Sequence, residues 1–427
     1  MKINIYEDPE RWEWEELLKR PGMDLEDLQL TVATVFKEVQ EKGDEALLRY
    51  TRKFDGVLLD ELEVSEQELE EAAGKIPEEL KEAINLAKVN IESFHAAQRT
   101  ERVEVETAPG VRCWQEKRPV QKVGLYIPGG TAPLFSTVLM LAIPARLAGC
   151  KEILLCSPPD RSGNLHPAVL YAASLCGVTK VFRLGGIQAI AAMTCGTESL
   201  PKVYKIFGPG NQYVTAAKQY ATKMGVAIDM PAGPSELLIV ADDTATPAFV
   251  AADLLSQAEH GADSQVLLVS DSLSLLKRVE QEVITQLEAL PRKEIAAAAM
   301  KNSRFICLPQ QQEILELVNE YAPEHLIICT EDPAFYSEGV ENAGSVFLGN
   351  YTPESAGDYA SGTNHTLPTN GYAKQYSGVT LDSFQKSISF QQITEAGLQA
   401  IGPAIELMAK AEGLEAHSRA VEIRLKS

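Results

Sequence analysis

From about Val123 onward the chain alternates short β-branched runs with alanine-rich helical segments, and this pattern constrains its fold more than any other feature. Parallel strands need long crossover connections, which are usually helices, so the alternation predicts α/β layers with largely parallel sheets. The predicted strands are residues 123–127, 152–156, 180–183, 203–207, 236–241, 265–270, 304–308, 326–329 and 345–348. Because these strands exceed one typical sheet, we expect two α/β lobes that meet near residues 231–235.

The segments outside this alternation complete the predicted organisation. Residues before the alternation show helical patterning, and the pattern returns to helix after about residue 381. The predicted division is an N-terminal arm at 1–25, a first lobe from 26–122 plus 236–380, a second lobe at 123–235, and a helical tail at 381–427. A tail of this length cannot bury a core by itself, so it must pack on another surface.

Charge and cysteine usage exclude several classes of function. A net charge of −21 provides no basic face for a phosphate backbone, so we expect no nucleic-acid partner. The seven cysteines form no C-x-x-C pair, which argues against a disulfide framework and a thiolate zinc site. The N-terminal segment lacks a signal-like apolar core, and the apolar run at 138–144 is too short to span a membrane. We expect a cytoplasmic protein with a small-molecule substrate and no membrane partner.

Three glycine-rich turns follow predicted strands and precede helical segments, at residues 126–130, 184–188 and 207–211. Backbone N–H groups at a helix start suit a pyrophosphate, and glycine allows the phosphate to approach closely. None of the turns reads G-x-G-x-x-G, and no acidic residue stands at the usual distance to hold a ribose. Taken alone, the turns permit either a nucleotide site or ordinary strand-to-helix connections.

Four of the six histidines stand near carboxylate or amide side chains. Gln257 and His260 are three apart at a predicted helix end, so they share one face and could bind one metal. The alternative for His260 is a histidine stabilised by the helix dipole. The adjacent Glu324 and His325 precede a predicted strand. There they could act as general bases in different steps of a reaction, or they could form a simple ion pair in a loop.

The other two histidines lie in a polar loop and in the helical tail. Asp358 and His365 share a glycine-containing loop, which either carries a site or faces solvent. Glu412 and His417 lie in the tail, where a lone histidine would ordinarily have no special role. The metal-competent side chains are Gln257, His260, Asp358 and His417. Imidazole and carboxylate ligands are typical of catalytic zinc, which keeps a position open for water or substrate.

The sequence around these residues resembles the histidinol dehydrogenase family. The run IDMPAGPSE at 228–236 looks like the signature of that family. Other segments resemble it in the same order along the chain: YIPGG at 126–130, GIQAI at 186–190, GPGN at 208–211, SQAEH at 256–260, PEH at 323–325, GDY at 357–359 and EGLEAH at 412–417. The resemblance covers the chain from about residue 120 to its end.

The resemblance implies an NAD-dependent enzyme, with one zinc per subunit, that oxidises histidinol through the aldehyde to histidine, the last step of histidine biosynthesis. It implies two incomplete Rossmann-like lobes, related to aldehyde dehydrogenases, and a tail that crosses to the partner in a homodimer with shared active sites. It also implies residue roles: zinc binding by Gln257, His260, Asp358 and His417; catalysis by Glu324 and His325; NAD contacts from Tyr126, Gln188 and Asn211; and substrate contacts from Ser235, His365 and Glu412 alongside His325 and the zinc ligands.

Three rival interpretations remain open. A dehydrogenase of the same fold could act on another amino alcohol or diol, although His365, Glu412 and His417 are the groups expected to recognise an imidazole. A thiol-dependent aldehyde dehydrogenase could use Cys195, which lies near a glycine turn, although burial as a small hydrophobe is the commoner role. A non-enzymatic binding protein would not need a Glu–His pair beside a metal cluster.

Overall fold

The computed structural model of the protein describes residues 3–21, 26–129 and 133–426. Gly130, at the end of the first glycine turn, and residues 22–25 of the predicted arm lie outside these ranges.

The strands are β1 Ile5–Glu7, β2 Val103–Ala108, β3 Val111–Pro119, β4 Lys122–Tyr126, β5 Glu152–Ser157, β6 Lys180–Arg183, β7 Lys205–Phe207, β8 Ala227–Ile228, β9 Glu236–Ala241, β10 Gln265–Ser270, β11 Arg304–Cys307, β12 His325–Cys329, β13 Ser345–Leu348 and β14 Gln385–Ile393. The α-helices are α1 Trp14–Leu17, α2 Glu26–Lys42, α3 Asp44–Phe54, α4 Glu66–Ala72, α5 Glu78–Ala97, α6 Phe135–Ala148, α7 Pro167–Leu175, α8 Gly186–Cys195, α9 Gln212–Lys223, α10 Pro247–Ala258, α11 Leu273–Leu287, α12 Lys293–Ala299, α13 Gln311–Tyr321, α14 Pro333–Gly339, α15 Glu354–Tyr359, α16 Glu395–Ala411 and α17 Glu415–Leu425.

Two parallel sheets confirm the predicted α/β class. One has five strands in the order β6-β5-β4-β7-β8, and the other has six in the order β1-β11-β10-β9-β12-β13. Strand β8 ends at Ile228 and β9 begins at Glu236, so the predicted break at 231–235 falls between the sheets. In the five-stranded sheet β5 and β7 flank β4 on opposite sides, which creates a topological switch point at its carboxyl end.

The helices before β2 cover the five-stranded sheet, whereas the sequence-based division grouped residues 26–122 with the other lobe. Helices α2 and α3 pack on α8 and α9, and α4 and α5 pack on α7 and α6. Buried Phe36 and Leu47 share one hydrophobic cluster with Leu154 and Phe182, so this packing is continuous with the sheet. Helical periodicity shows which face is apolar but not which sheet that face covers, and this explains the difference.

The N-terminal segment is an integral part of the six-stranded sheet rather than a separate arm. Strand β1 pairs in parallel with β11, with Ile5 opposite Phe305. Trp14 and Leu18 are buried in the cluster that covers one face of this sheet. The sequence missed β1 because three residues are too few to establish a strand period.

The predicted helical tail is confirmed by α16 and α17, and a strand that the sequence analysis did not predict precedes them. Strand β14 pairs antiparallel with β3, and β2 completes a three-stranded sheet. Ile388 and Phe390 alternate with polar residues, and the Phe390 ring stacks on Trp114 at a centroid distance of 5.3 Å. This alternation is the period of a strand, and two apolar residues were too weak a signal. The helices that follow, α16 and α17, pack mainly on each other. Among the described residues, no helix combines the length and apolar character needed to cross a membrane.

Candidate active site

Two adjoining cavities lie where the carboxyl ends of β4 and β7 face the amino ends of β9 and β12. The smaller has a volume of about 330 Å³ and the larger about 1360 Å³. The smaller is lined by the predicted site residues Ser235, Gln257, His260, Glu324, His325, Asp358 and His365. The larger is lined by Tyr126, Gln188 and Asn211, and Asn211 borders both. Their sizes suit a small organic substrate and a considerably larger ligand, respectively.

The backbone of Glu236 holds both predicted catalytic side chains. Its N–H donates to Glu324 Oε2 at 2.9 Å, and its carbonyl lies 3.2 Å from His325 Nδ1. A carbonyl can only accept, so His325 Nδ1 carries a proton and donates it. Both side chains are buried, so these contacts fix their orientation. Nε2 is therefore the ring nitrogen that remains to exchange a proton with a ligand.

Arg20 fixes the start of β9 by binding the side chain of Glu236. The guanidinium donates from Nε at 2.6 Å and from Nη2 at 2.9 Å to the two carboxylate oxygens of Glu236. The Glu236 carboxylate is 2% exposed, so this bidentate pair compensates a charge that would otherwise be buried alone. Through Arg20 the N-terminal segment thus helps to position the predicted catalytic pair, and no sequence signal pointed to this contact.

Three carboxylates surround the His325 ring. Glu324 Oε2 and Glu354 Oε1 lie 3.6 Å and 3.7 Å from Nδ1, and Asp358 Oδ1 lies 3.6 Å from Nε2. Burial alone would lower the pKa of His325, but Glu354 and Glu324 outweigh it and raise that pKa well above its usual value. Burial raises the pKa of Glu354 as well. The cluster therefore carries an excess of negative charge that either protons or a cation must compensate.

Glu354 is the site residue that the sequence analysis missed. It is 1% exposed, and neither carboxylate oxygen has a hydrogen-bond partner among the described residues. It stands four positions before Asp358 on α15, which places both carboxylates on one helix face. That spacing was the available signal.

The same cluster has donors suited to a divalent metal. Ligand atoms of His260, Glu354 and Asp358 all lie within 4.8 Å of one another. Gln257, which lines the same cavity, comes from the last turn of α10, and His260 lies just beyond it. Imidazole nitrogen and carboxylate oxygen are ligands that zinc accepts, and the unpartnered oxygens of Glu354 are consistent with a nearby cation. The residues present therefore fit a metal.

His365 closes another side of the cavity as a neutral ring. Burial lowers its pKa, and its Nδ1 lies 2.9 Å from the carbonyl oxygen of Asp358, to which it donates. Its Nε2 lies 3.1 Å from the Thr137 hydroxyl and therefore accepts from it. Thr137 comes from α6 of the other lobe, so this contact joins the two lobes at the site.

The structure does not bring Glu412 and His417 to the cavity of their own chain. Both are exposed, at the junction of α16 and α17, and neither lines the smaller cavity. The paired tail helices also expose apolar side chains, notably Leu407 at 71% and Met408 at 65%. A second chain is needed if these residues belong to the site.

The predicted glycine turns border both cavities, with Gly186 in the wall of the larger one and Gly208 in the wall of the smaller one. Gly186 has φ +58°, and its N–H donates to the Tyr126 hydroxyl at 3.1 Å. Gly208 has φ +129°, and a Cβ there would lie 2.1 Å from the Tyr126 carbonyl oxygen, so only glycine fits. The buried ammonium of Lys218 donates to the Gly208 carbonyl at 2.8 Å and shapes this turn. The Asn211 side chain caps α9 by accepting from the backbone N–H groups of residues 213 and 214.

The cysteines do not support the thiol-dependent rival. Within the described chain, neither cavity has a cysteine in its lining. Burial raises the pKa of Cys195, which disfavours the nucleophilic thiolate.

Comparisons with known proteins agree with this geometry. The family model described as histidinol dehydrogenase matches residues 18–425. This chain belongs to the histidinol dehydrogenase family. A curated histidinol dehydrogenase of Bacteroides thetaiotaomicron is 61% identical over 425 residues, covering 100% of this chain and 99% of the relative. Another, from Campylobacter jejuni, is 50% identical and covers 100% of both chains. Family membership makes the protein an oxidoreductase enzyme of histidine biosynthesis.

Solved structures support the same family and fold. A histidinol dehydrogenase from Elizabethkingia anophelis superposes with a TM-score of 0.97 at 57% identity, covering 99% of this chain and 98% of that one. An acetylating aldehyde dehydrogenase from Geobacillus thermoglucosidasius gives a TM-score of 0.50 at 15% identity, over 89% of this chain and 94% of that one. This second likeness concerns the fold alone, and it confirms the predicted relation to aldehyde dehydrogenases.

Proposed function

We propose that the protein oxidises L-histidinol through L-histidinal to L-histidine, with NAD as the acceptor of two hydrides. The observation that carries the proposal is the buried Glu324–His325 pair at the point where a small cavity opens into a much larger one. A four-electron oxidation of an alcohol needs a base for the hydroxyl proton, a base for water, and room for a hydride acceptor beside the substrate. The arrangement provides all three.

We assign zinc to the metal cluster, with Gln257, His260 and Asp358 as ligands and His417 of the partner subunit as the last one. When bound, the metal would act as a Lewis acid that holds the substrate nitrogens and fixes the carbinol carbon. Glu354 lies among these groups as a further buried carboxylate that offsets positive charge. His260 is exposed, which is compatible with a site open to substrate.

In this proposal His325 and Glu324 act as general bases in different steps. A cation bound at this cluster would offset the negative charge that raises the pKa of His325, so Nε2 would be free to take the hydroxyl proton as a hydride leaves the carbinol carbon, while Nδ1 stays bonded to the Glu236 carbonyl. Glu324 then takes a proton from water, which adds to the aldehyde carbon. The resulting anionic hydrate loses a second hydride, and its remaining hydroxyl proton passes to His325, which leaves the carboxylate product. When bound, NAD would accept the hydride in each half-reaction.

The remaining predicted contacts select the substrate and the cofactor. Ser235 and His365 line the small cavity, and Glu412 of the partner subunit would approach the imidazole end of histidinol. Tyr126, Gln188 and Asn211 line the large cavity, where NAD would lie. The alternative remains a dehydrogenase of this fold that acts on another amino alcohol or diol.

A homodimer with shared sites is part of the proposal. The exposed apolar residues of α16 and α17 support a tail that packs on a second copy, as does the finding that His417 does not line the cavity of its own chain. A C2 interface would form two equivalent sites. A biosynthetic role in amino-acid metabolism suits the cytoplasm, which we also propose.

The stoichiometry of NADH tests the proposed reaction. Limiting histidinol is oxidised to completion with excess NAD, and NADH is counted by its absorbance. Two NADH per histidinol are expected, with histidine as the product. One NADH per substrate, with free aldehyde, would contradict the second half-reaction. An amino alcohol of equal length without the imidazole serves as the matched substrate, and equal turnover of it would favour the alternative.

A further inference from the structure

Thr137 is a buried residue in the wall of the smaller cavity, and the proposed reaction assigns it no role. It stands in the first turn of α6 and is 2% exposed. A threonine inside a helix can donate to the carbonyl four residues earlier, as Thr194 does to Ile190 at 2.7 Å. Thr137 has no carbonyl of α6 at that spacing, and its hydroxyl bonds instead to His365, 228 positions further along the chain. The hydroxyl is therefore committed to a site residue rather than to its own helix.

This hydrogen bond is one of two that hold the His365 ring. Nδ1 donates to the Asp358 carbonyl at 2.9 Å, so Nε2 of the neutral ring carries no proton and accepts from the Thr137 hydroxyl at 3.1 Å. Asp358 lies on α15, which packs on α10 beside the six-stranded sheet, whereas α6 packs on β4 and β5 of the other lobe. The ring thus spans the two lobes, and Thr137 fixes both its orientation and which of its nitrogens is protonated.

The backbone on either side of His365 is held without Thr137. The Asn364 amide nitrogen donates to the Met140 carbonyl at 2.7 Å, and Asn364 Oδ1 accepts from the Thr366 N–H at 2.9 Å. These bonds keep the loop in place when the Thr137 hydroxyl is removed, so only the ring of His365 would gain freedom. A role in positioning the ring can therefore be separated from a role in folding.

We propose that Thr137 is a positioning residue for substrate binding, because its hydroxyl holds the His365 ring in the orientation that contacts the bound substrate. The inference rests on the proposed function, in which His365 contacts histidinol. A side chain that is free to turn must be ordered when a ligand binds, and this ordering weakens the affinity. A ring already fixed at both nitrogens avoids that loss, so Thr137 contributes to substrate affinity through His365.

The test is Thr137→Val, which keeps the branched shape of the side chain and removes the hydroxyl. Titration calorimetry of the metal-loaded enzyme with histidinol is expected to show about 3- to 10-fold weaker binding, the range for one neutral hydrogen bond or one freed side chain. The KM for histidinol should rise by the same factor. The kcat and the KM for NAD should stay within about twofold, because the Glu236 backbone, not His365, holds the proposed catalytic pair.

Two further variants separate the hydroxyl from packing and from stability. Thr137→Ser keeps the hydroxyl and should bind histidinol within about twofold of wild type. Thr194→Val is the matched control, since it makes the same substitution at a buried threonine of the same lobe whose hydroxyl bonds to its own helix. Its KM for histidinol should not change. An equal rise of the KM in Thr137→Val and Thr194→Val would attribute the effect to lost stability and overturn the inference.

The outcomes separate this inference from the proposed function. If the wild-type enzyme does not reduce NAD with histidinol, the proposed function fails. If the wild type works and Thr137→Val binds histidinol as tightly, only the positioning role fails. A fall in kcat or a rise in the KM for NAD, with histidinol binding unchanged, would also show that role to be wrong. Weak binding in Thr137→Ser equal to that in Thr137→Val would trace the effect to packing of the side chain and would likewise overturn the inference.

Discussion

The two cavities differ in how they are built, and the difference separates chemistry from cofactor binding. The smaller cavity gathers Glu324, His325 and Asp358 in about 330 Å³, Glu354 is buried beside His325, and the neighbouring carboxylates raise the pKa of His325 well above its usual value. The larger spans about 1360 Å³ and is formed largely by the strand-to-helix turns of the five-stranded sheet. A crowded charged cavity suits bond breaking, whereas a spacious one suits a ligand that must be exchanged between two half-reactions.

The two cavities also lie at opposite ends of the strands in their respective sheets. The larger one follows the general rule for α/β sheets, since its residues lie beyond the carboxyl ends of β4, β5 and β6. The smaller one uses the amino ends of β9 and β12, where Ser235, Glu324 and His325 lie. Opposed sheet edges thus place the proposed reacting groups of one lobe against the proposed cofactor-binding turns of the other.

Metal removal should produce the largest difference between the cavities. After dialysis against a chelator, activity is expected to fall by about 10³-fold or more, because Lewis-acid stabilisation of several kcal/mol is lost. Binding of NADH in the larger cavity should change little. Metal content is measured beside activity, and added zinc should restore both. Full activity in a preparation shown to be free of metal would contradict the metal assignment.

Glu324→Gln should affect the two half-reactions unequally. The variant cannot activate water, so oxidation of histidinal should slow by about 10²- to 10⁴-fold, while oxidation of histidinol slows much less. His325→Asn should impair both steps, because each releases a proton. Single-turnover rates with each substrate measure the split. Equal losses in both steps of Glu324→Gln would refute the division of labour.

Mixed dimers test whether the smaller cavity is completed by a second chain. Glu324→Gln and His417→Ala homodimers should each be nearly inactive. In a mixed dimer with shared sites, one site contains both substitutions and the other contains neither. Since about half of the dimers in a refolded equal mixture are mixed, about a quarter of wild-type activity should return. Mass spectrometry checks that mixed dimers formed. Their presence without recovered activity would exclude shared sites.

The stability of the Asp55→Asn variant should show the smallest effect. Asp55 lies in the wall of the larger cavity, and burial raises its pKa. The folded-state pKa of about 6 exceeds the ordinary 3.8, so this carboxylate's contribution to stability is full below about pH 4 and is lost as pH rises through 6. The variant should therefore melt about 1–2 °C higher than wild type at pH 8, after allowing for partial exposure, and equally at pH 4. A lower melting temperature at pH 8 would mean that Asp55 has a structural role.

Several features of the protein were accessible from local sequence patterns. The nine predicted strands match observed strands closely, because a buried parallel strand is a short apolar run bounded by turns. The adjacency of Glu324 and His325 and the helical spacing of Gln257 and His260 placed four side chains in one cavity. The spacing of Glu354 and Asp358 could have revealed a further carboxylate by the same reasoning.

Only the tertiary structure decided the contacts between distant segments. The Arg20–Glu236 pair, the Asp55–Gln188 hydrogen bond and the pairing of β14 with β3 each join segments far apart in the chain. Periodicity shows that a face is apolar or that a strand is half-exposed, but it carries no information about the partner. The partner is chosen by packing of the whole chain, where an uncompensated buried charge or an uncovered apolar face costs free energy. The sequence alone therefore determined most elements of the two parallel sheets and pointed to the proposed catalytic pair, and the fold determined what surrounds them.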